Sequence, residues 1–186
     1  MKLKHAKTAF TIFFLVILGG FLFIWLEKEM AFREELEKRP LPSGLHPLVE
    51  EKRDQLVAQA AEIGIDIIIT DGYRSPEEQA DLHSQGRSTP GSIVTHAEAG
   101  ESYHNYGLAI DYALRFDDGS VVWDITRDGN GNGESDWFEV AAIGKKLGFD
   151  WGGDWQRFKD YPHLEMTFGL SIRELQQGWR PEDKIE

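Results

Sequence analysis

The chain contains no cysteine. Disulfides, thiolate-ligated metals and a lipid-anchoring cysteine are thereby excluded, and any metal must be held by histidine and carboxylate. Positive charge is also scarce: 20 lysines and arginines against 32 acids leave a formal net charge of −12. No nucleic-acid partner is expected, because phosphate contacts need a basic surface. The acidic balance suits a soluble domain outside the cell.

Charge of either sign is missing from residues 8–26, an apolar run preceded by Lys2, Lys4 and Lys7. The run is just long enough to cross a bilayer as a helix, and Gly19-Gly20 are tolerable there. An A-x-A-like pair of small residues is lacking too, and Phe23-Ile-Trp-Leu26 leads straight into Glu27-Lys-Glu29. The expectation is an N-terminal transmembrane helix at 1–26, with a cleaved signal peptide as the alternative. Lys28, Arg33, Lys38 and Arg39 on the far flank leave the charge count indecisive for orientation.

The 186 residues allow one domain with a real core. Residues 27–39 are charged and read as a short exposed helix; Pro40-Leu-Pro-Ser-Gly44 breaks it. The expected layout is a linker at 27–44, a domain at 45–170, and a short helix with a frayed tail at 171–186. Within the domain, 48–63 reads as an amphipathic helix ended by Gly64, and 65–70 as a buried, β-branched strand. Phe116-Asp-Asp-Gly119 reads as a hairpin turn before Val121-Val-Trp123, and 137–147 as a helix. The implied class is α+β, a central mostly antiparallel sheet with packed helices.

Two stretches carry chemistry. In Ser102-Tyr-His-Asn-Tyr-Gly-Leu-Ala-Ile-Asp111, a turn at 105–107 separates His104 from a strand. Strand alternation puts Leu108, Ile110, Tyr112 and Leu114 on one face and Ala109, Asp111 and Ala113 on the other. Asp111 thus lies between small residues, where a buried carboxylate needs a cation or donors. In the second stretch, His163, Glu165 and Thr167 share a strand face, and Asp160 precedes His163 by three residues across Pro162. Taken singly, each stretch also fits a hydrogen-bonded surface histidine or an aspartate satisfied by backbone. Together, two histidines and a carboxylate make a three-ligand zinc site with an open fourth position, and Asp160 is placed to take a proton from a water there.

Asp71-Gly-Tyr-Arg-Ser-Pro-Glu-Glu78 reads as a strand-to-helix turn, with Ser75 as N-cap, Pro76 at the first helical position and Glu78 completing a capping box. Arg74 is held at that turn, either aimed into a cleft or paired with Glu77 or Glu78. Residues 87–100 read as a loop over the cleft, while His5, His46, His83 and His96 read as bystanders. Gly148-Phe-Asp-Trp-Gly-Gly-Asp-Trp155 suggests either a cleft wall close to a bound peptide or core packing by Trp151 and Trp155. Residues 128–139 match the calcium-loop pattern in full, with Asp128, Asn130, Asn132, Glu134 and Glu139 as oxygen donors and Gly133 at the sharp turn. Ser135 departs from that pattern and no helix precedes the loop, so the expectation is an isolated structural Ca2+ site, or else a capped Asn/Gly turn.

Ser102-x-His104-x-x-Gly107-x-Ala109-x-Asp111 followed by Asp160-x-x-His163 resembles the zinc peptidases of the VanY/LAS type. That family contains D-alanyl-D-alanine carboxypeptidases, D-Ala-D-Ala dipeptidases and L-alanyl-D-glutamate endopeptidases of bacteria and phages. The likeness spans about 41–168. Ser102-Tyr-His-Asn-Tyr-Gly107 and the 148–155 phrase bring it nearest to bacillar cell-wall endopeptidases and phage endolysins. The resemblance implies a Hedgehog/DD-peptidase-like fold and one catalytic zinc on His104, Asp111 and His163. It makes Asp160 the base, where some members have Glu, and gives Arg74 the oxyanion. It implies peptidoglycan stem peptides as substrate, cut most plausibly between L-Ala and D-Glu, with D-Ala-D-Ala carboxypeptidase as runner-up. A non-catalytic zinc-containing wall-binding or signalling module is the alternative from another class. The domain is then expected outside the membrane, anchored or secreted to the wall.

Overall fold

The computed structural model of the protein describes residues 2–116 and 118–184, with side chains from 13 onward. Asp117 of the expected hairpin turn and His5's side chain lie outside the described residues. The chain divides into two compact units, Met1–Pro40 and Leu41–Glu186.

The first unit is one helix, α1 (Lys2–Lys38). Its charged end is braced by i,i+4 pairs, Arg33 to Glu29 at 2.8 Å and Lys38 to Glu34 at 2.5 Å. The expected membrane span is not supported: among the described residues, no helix is long and apolar enough to cross a membrane. The side chains of 8–12, which open the apolar run, lie outside the described residues.

The second unit is an antiparallel sheet backed by helices. Its strands are β1 (Ile67–Asp71), β2 (Ala109–Arg115), β3 (Val121–Val122), β4 (Asp150–Trp151) and β5 (His163–Glu165). The order is β1-β2-β5-β4, with β3 also paired to β2. Helices α2 (Pro47–Glu62), α3 (Pro76–Ser84), α4 (Asp136–Lys146) and α5 (Ile172–Gln176) complete the unit. This is the expected α+β arrangement.

The core forms where α2 and α4 pack together against the sheet. Val49, Leu56 and Ala60 of α2 are fully buried with Val140 of α4 and Ile110, Tyr112 and Leu114 of β2. Each large aliphatic residue so buried contributes roughly 1.5–3 kcal/mol. Gly144 lets α4 lie close on β5, because a Cβ there would sit 3.0 Å from Leu164. Strand β1 differs from its expectation: it begins at Ile67, and Ile68 is 36% exposed. It is an edge strand covered on one face, so β-branched residues alternate in and out rather than being buried throughout. The tail is not frayed as far as it is described. Buried Arg180 donates to the carbonyls of Leu175 and Trp179 at 2.9 and 2.7 Å, and Pro181 is buried.

Candidate metal centre

Sheet register creates the site. Asp111 of β2 and His163 of β5 are direct antiparallel partners, and Ala109 faces Glu165 two residues along. His104 arrives from the 3-10 turn Tyr103–Tyr106 just before β2, capped by Ser102. Gly107 closes that turn at φ 66°, and a Cβ there would collide with the Gly44 carbonyl oxygen. Glycine is therefore required twice over, for backbone angle and for space.

Three donor atoms converge. His104 Nε2 lies 3.3 Å and His163 Nδ1 3.1 Å from Asp111 Oδ1, and the two nitrogens are 3.2 Å apart. Ligand bonds of about 2.0–2.1 Å at the tetrahedral angle would separate donor atoms by about 3.3 Å, so the spacing fits one zinc ion. The outer ring nitrogens are committed elsewhere. His104 Nδ1 donates to the Gly72 carbonyl at 2.7 Å, and His163 Nε2 donates to Glu165 Oε2 at 3.0 Å. Each hydrogen bond fixes the tautomer whose lone pair points at the common centre. Three electron-rich atoms aimed at one point are stable only with a cation or proton between them. Among the described residues, this is the one grouping of His, Asp or Glu able to share a metal ion.

Electrostatics agree. Burial pushes Asp111 up, but the hydrogen bonds and charges of His104 and His163 outweigh it and hold the carboxyl well below its usual range. Burial pushes His163 down, and Asp111 and Glu165 outweigh that, raising it to about 9 in the metal-free protein.

The centre opens into a cleft of about 570 Å³, also lined by Arg74, Trp155, Lys159, Asp160 and the 93–97 loop. Asp160 is raised by burial first and by the Asp111 charge second. Its backbone N–H donates to the Gly152 carbonyl at 3.2 Å. A Cβ on Gly152 would lie 2.5 Å from the Asp160 carbonyl oxygen, so this glycine makes room for the Asp160 segment. The two aromatic readings of 148–155 divide between residues. Trp151 is buried and donates to the Tyr161 carbonyl at 2.8 Å, whereas Trp155 lines the cleft with its ring 5.1 Å from that of His163.

Arg74 faces the cleft, but its partners are not Glu77 or Glu78. Its Nε and Nη2 donate to Asp71, and Nη1 donates to Gln79 Oε1 at 2.8 Å. Gln79 is fully buried, and its Nε2 donates to the Ala97 carbonyl at 2.8 Å. It thereby ties the cleft loop to the arginine. Sequence reasoning passed over Gln79 and the hydrogen bond of Glu165; a glutamine at the fourth residue of α3 carries no local signal, whereas strand alternation did place Glu165 on the His163 face.

The expected calcium site is not supported. Asp128 spends both carboxylate oxygens on the backbone N–H groups of Asn132 and Gly133. Asn130 and Asn132 turn their NH2 groups toward Glu139, at 3.1 and 2.7 Å. Glu134's backbone N–H donates to Asn132 Oδ1 at 2.8 Å. The polar groups of the loop are paired largely with one another, and Ser135 makes no side-chain cap to α4. Of the bystander histidines, His46 caps α2 by accepting from Leu48 N–H at 3.2 Å. His83 is half-buried in the last turn of α3, and His96 lines the cleft outside the ligand group.

Two histidines and an aspartate on a helix-backed antiparallel sheet, open on one side to a cleft, define a metal-dependent hydrolase centre. A family model described as D-alanyl-D-alanine carboxypeptidase matches residues 95–166. Peptidoglycan L-alanyl-D-glutamate endopeptidase CwlK of Bacillus subtilis (strain 168) is 55% identical over 161 residues, 87% of this chain and 96% of that protein. The chain belongs to that family, the VanY/LAS-type zinc peptidases of peptidoglycan. The L-alanyl-D-glutamate peptidase of Listeria phage A118 is 32% identical over 105 residues, 56% of this chain and 32% of that protein. The solved structure of Serratia marcescens L-Ala D-Glu endopeptidase ChiX is similar over 72% of this chain and 85% of that one, at 21% identity and TM-score 0.49.

Proposed function

We propose that the protein hydrolyses peptidoglycan stem peptides between L-Ala and D-Glu, using one zinc held by His104 Nε2, Asp111 Oδ1 and His163 Nδ1. The observation that carries the chemistry is the 3.1–3.3 Å spacing of those three atoms around one point. The bond specificity is supported by the 55% identity to the Bacillus endopeptidase across nearly its whole length.

Zinc in this setting supplies Lewis acidity toward a water and toward the scissile carbonyl. The chain's own groups do the rest. Asp160, whose carbonyl accepts from the His163 N–H at 3.3 Å and which lines the same cleft, accepts the proton of the attacking water and passes it to the leaving amine. Its raised affinity for a proton suits that exchange. Arg74 spends three of its N–H donors on Asp71 and Gln79 and offers the remaining two to the oxygen of the tetrahedral intermediate. Asp71 and Gln79 hold the guanidinium still, so little reorganisation is needed as charge develops. Trp155 walls the cleft beside His163.

The family model's description favours a second reading, D-alanyl-D-alanine carboxypeptidase. Mass spectrometry of digested muropeptides separates the two. New N-terminal D-Glu supports the endopeptidase, released D-Ala supports the carboxypeptidase, and no product with zinc-loaded protein supports a non-catalytic wall-binding or signalling module. The proposed place of action is the cell wall, outside the cytoplasmic membrane. Cell fractionation that recovers the chain only from cytoplasm would overturn it.

A further inference from the structure

The cleft holds a cation that the reaction leaves unused. Its acids are Glu101, Asp111, Asp160 and Glu165, and its fixed cations are Arg74 and Lys159. Arg74 is already paired with Asp71 and hydrogen-bonded to Gln79. Lys159 is exposed and, among the described residues, makes no hydrogen bond or ion pair. Both of its chain neighbours nevertheless make contacts. The Phe158 ring packs on Trp155 with centroids 5.0 Å apart, and Asp160 N–H donates to the Gly152 carbonyl. A free ammonium is thus fixed at its root beside the proposed base.

The substrate under the endopeptidase reading has a matching anion. A glutamate joined to alanine through its nitrogen continues the peptide through one carboxyl and keeps the other. That second carboxylate sits on the leaving side of the scissile bond, on the residue whose nitrogen departs. A chain of net charge −12, with four acids around the cleft, opposes such an anion unless a local cation receives it. Resting on that reading, we infer that Lys159 is a specificity-determining residue that binds the free carboxylate of the glutamate after the scissile bond. The enzyme then distinguishes stem peptides with a free glutamate carboxylate from those in which it is a carboxamide.

The test uses zinc-loaded full chain and two synthetic stem peptides, identical except that the glutamate carboxyl left out of the peptide chain is free in one and amidated in the other. Wild type is expected to cleave the acid about 10-fold or more faster in kcat/KM, the scale of one charge-assisted hydrogen bond. Lys159→Met should bring the acid down to the amide's rate, with zinc content and melting temperature unchanged. Lys159→Arg should keep the preference, and Lys159→Glu should reverse it. A Lys159→Met enzyme with the wild-type acid-to-amide ratio overturns the inference, as does wild type that cuts both peptides equally. Wild type that cuts neither overturns the endopeptidase reading and this inference with it.

Discussion

Glu165 accepts a hydrogen bond from His163 Nε2 at 3.0 Å, two residues along the same strand face. That bond fixes which nitrogen of His163 faces Asp111 and His104. Removing it should leave a ring free to change tautomer and rotate. Glu165→Ala is expected to weaken zinc binding by about 10–100-fold. Glu165→Gln, whose carbonyl still accepts the hydrogen bond, should lose less. Competition with a chromophoric chelator measures both. Equal affinity in wild type and Glu165→Ala would remove Glu165 from the metal centre.

The same pair sets a pH dependence. Metal-free His163 is raised to about 9, above its unfolded value of 6.5. A raised group of this kind stabilises the metal-free fold fully below pH 6.5, and that stabilisation is lost as pH rises through about 9. At pH 7 the ring carries a proton that zinc must displace, so loading should release about one proton per ion. Release should decline as pH rises through about 9. Calorimetric titrations at pH 7 in buffers of different ionisation enthalpy read the number directly, and zero release would contradict the arrangement.

Spacing and alternation made the gathered residues legible before any coordinates. His104, Asp111 and His163 were readable because a strand period of two places Asp111 and His163 on faces that register can join. The choice of Nδ1 on His163 was not readable, since it depends on where Glu165 sits after folding. Gln79 was hidden because its meaning comes from Ala97 and Arg74, neither of which is near it on α3. The calcium reading of the 128–139 loop finds no support for a related reason. The calcium pattern counts oxygen-bearing residues, but an amide brings an NH2 as well, and here those groups satisfy Glu139. The edge position of β1 and the seat of the Arg180 guanidinium over the Tyr106 ring, 5.5 Å from its centroid, likewise depend on neighbours distant in sequence.

That hidden glutamine makes a specific expectation. Gln79→Leu leaves Arg74 Nη1 and the Ala97 carbonyl without their partner, at a cost of about 1–3 kcal/mol in stability. Catalysis should suffer beyond the fold, because Arg74 loses one of its two tethers. Gln79→Glu restores the acceptor for Arg74 but not the donor for Ala97. It is expected to recover kcat more than it recovers melting temperature. Parallel recovery of both would mean that Gln79 acts only as a packing group.

Asp160 separates metal binding from turnover. It lines the same cleft as the three donors, three residues before His163, and lies outside the group able to share an ion. Asp160→Asn keeps the shape and removes the base, so zinc content should match wild type while kcat falls about 100-fold or more. His104→Ala, by contrast, should lose metal and activity together. The acid limb of wild-type kcat should disappear from whatever residual rate Asp160→Asn retains, because the group that must lose a proton is gone. A variant with full zinc, full turnover and an unchanged pH profile would mean that the proton is carried by some other group.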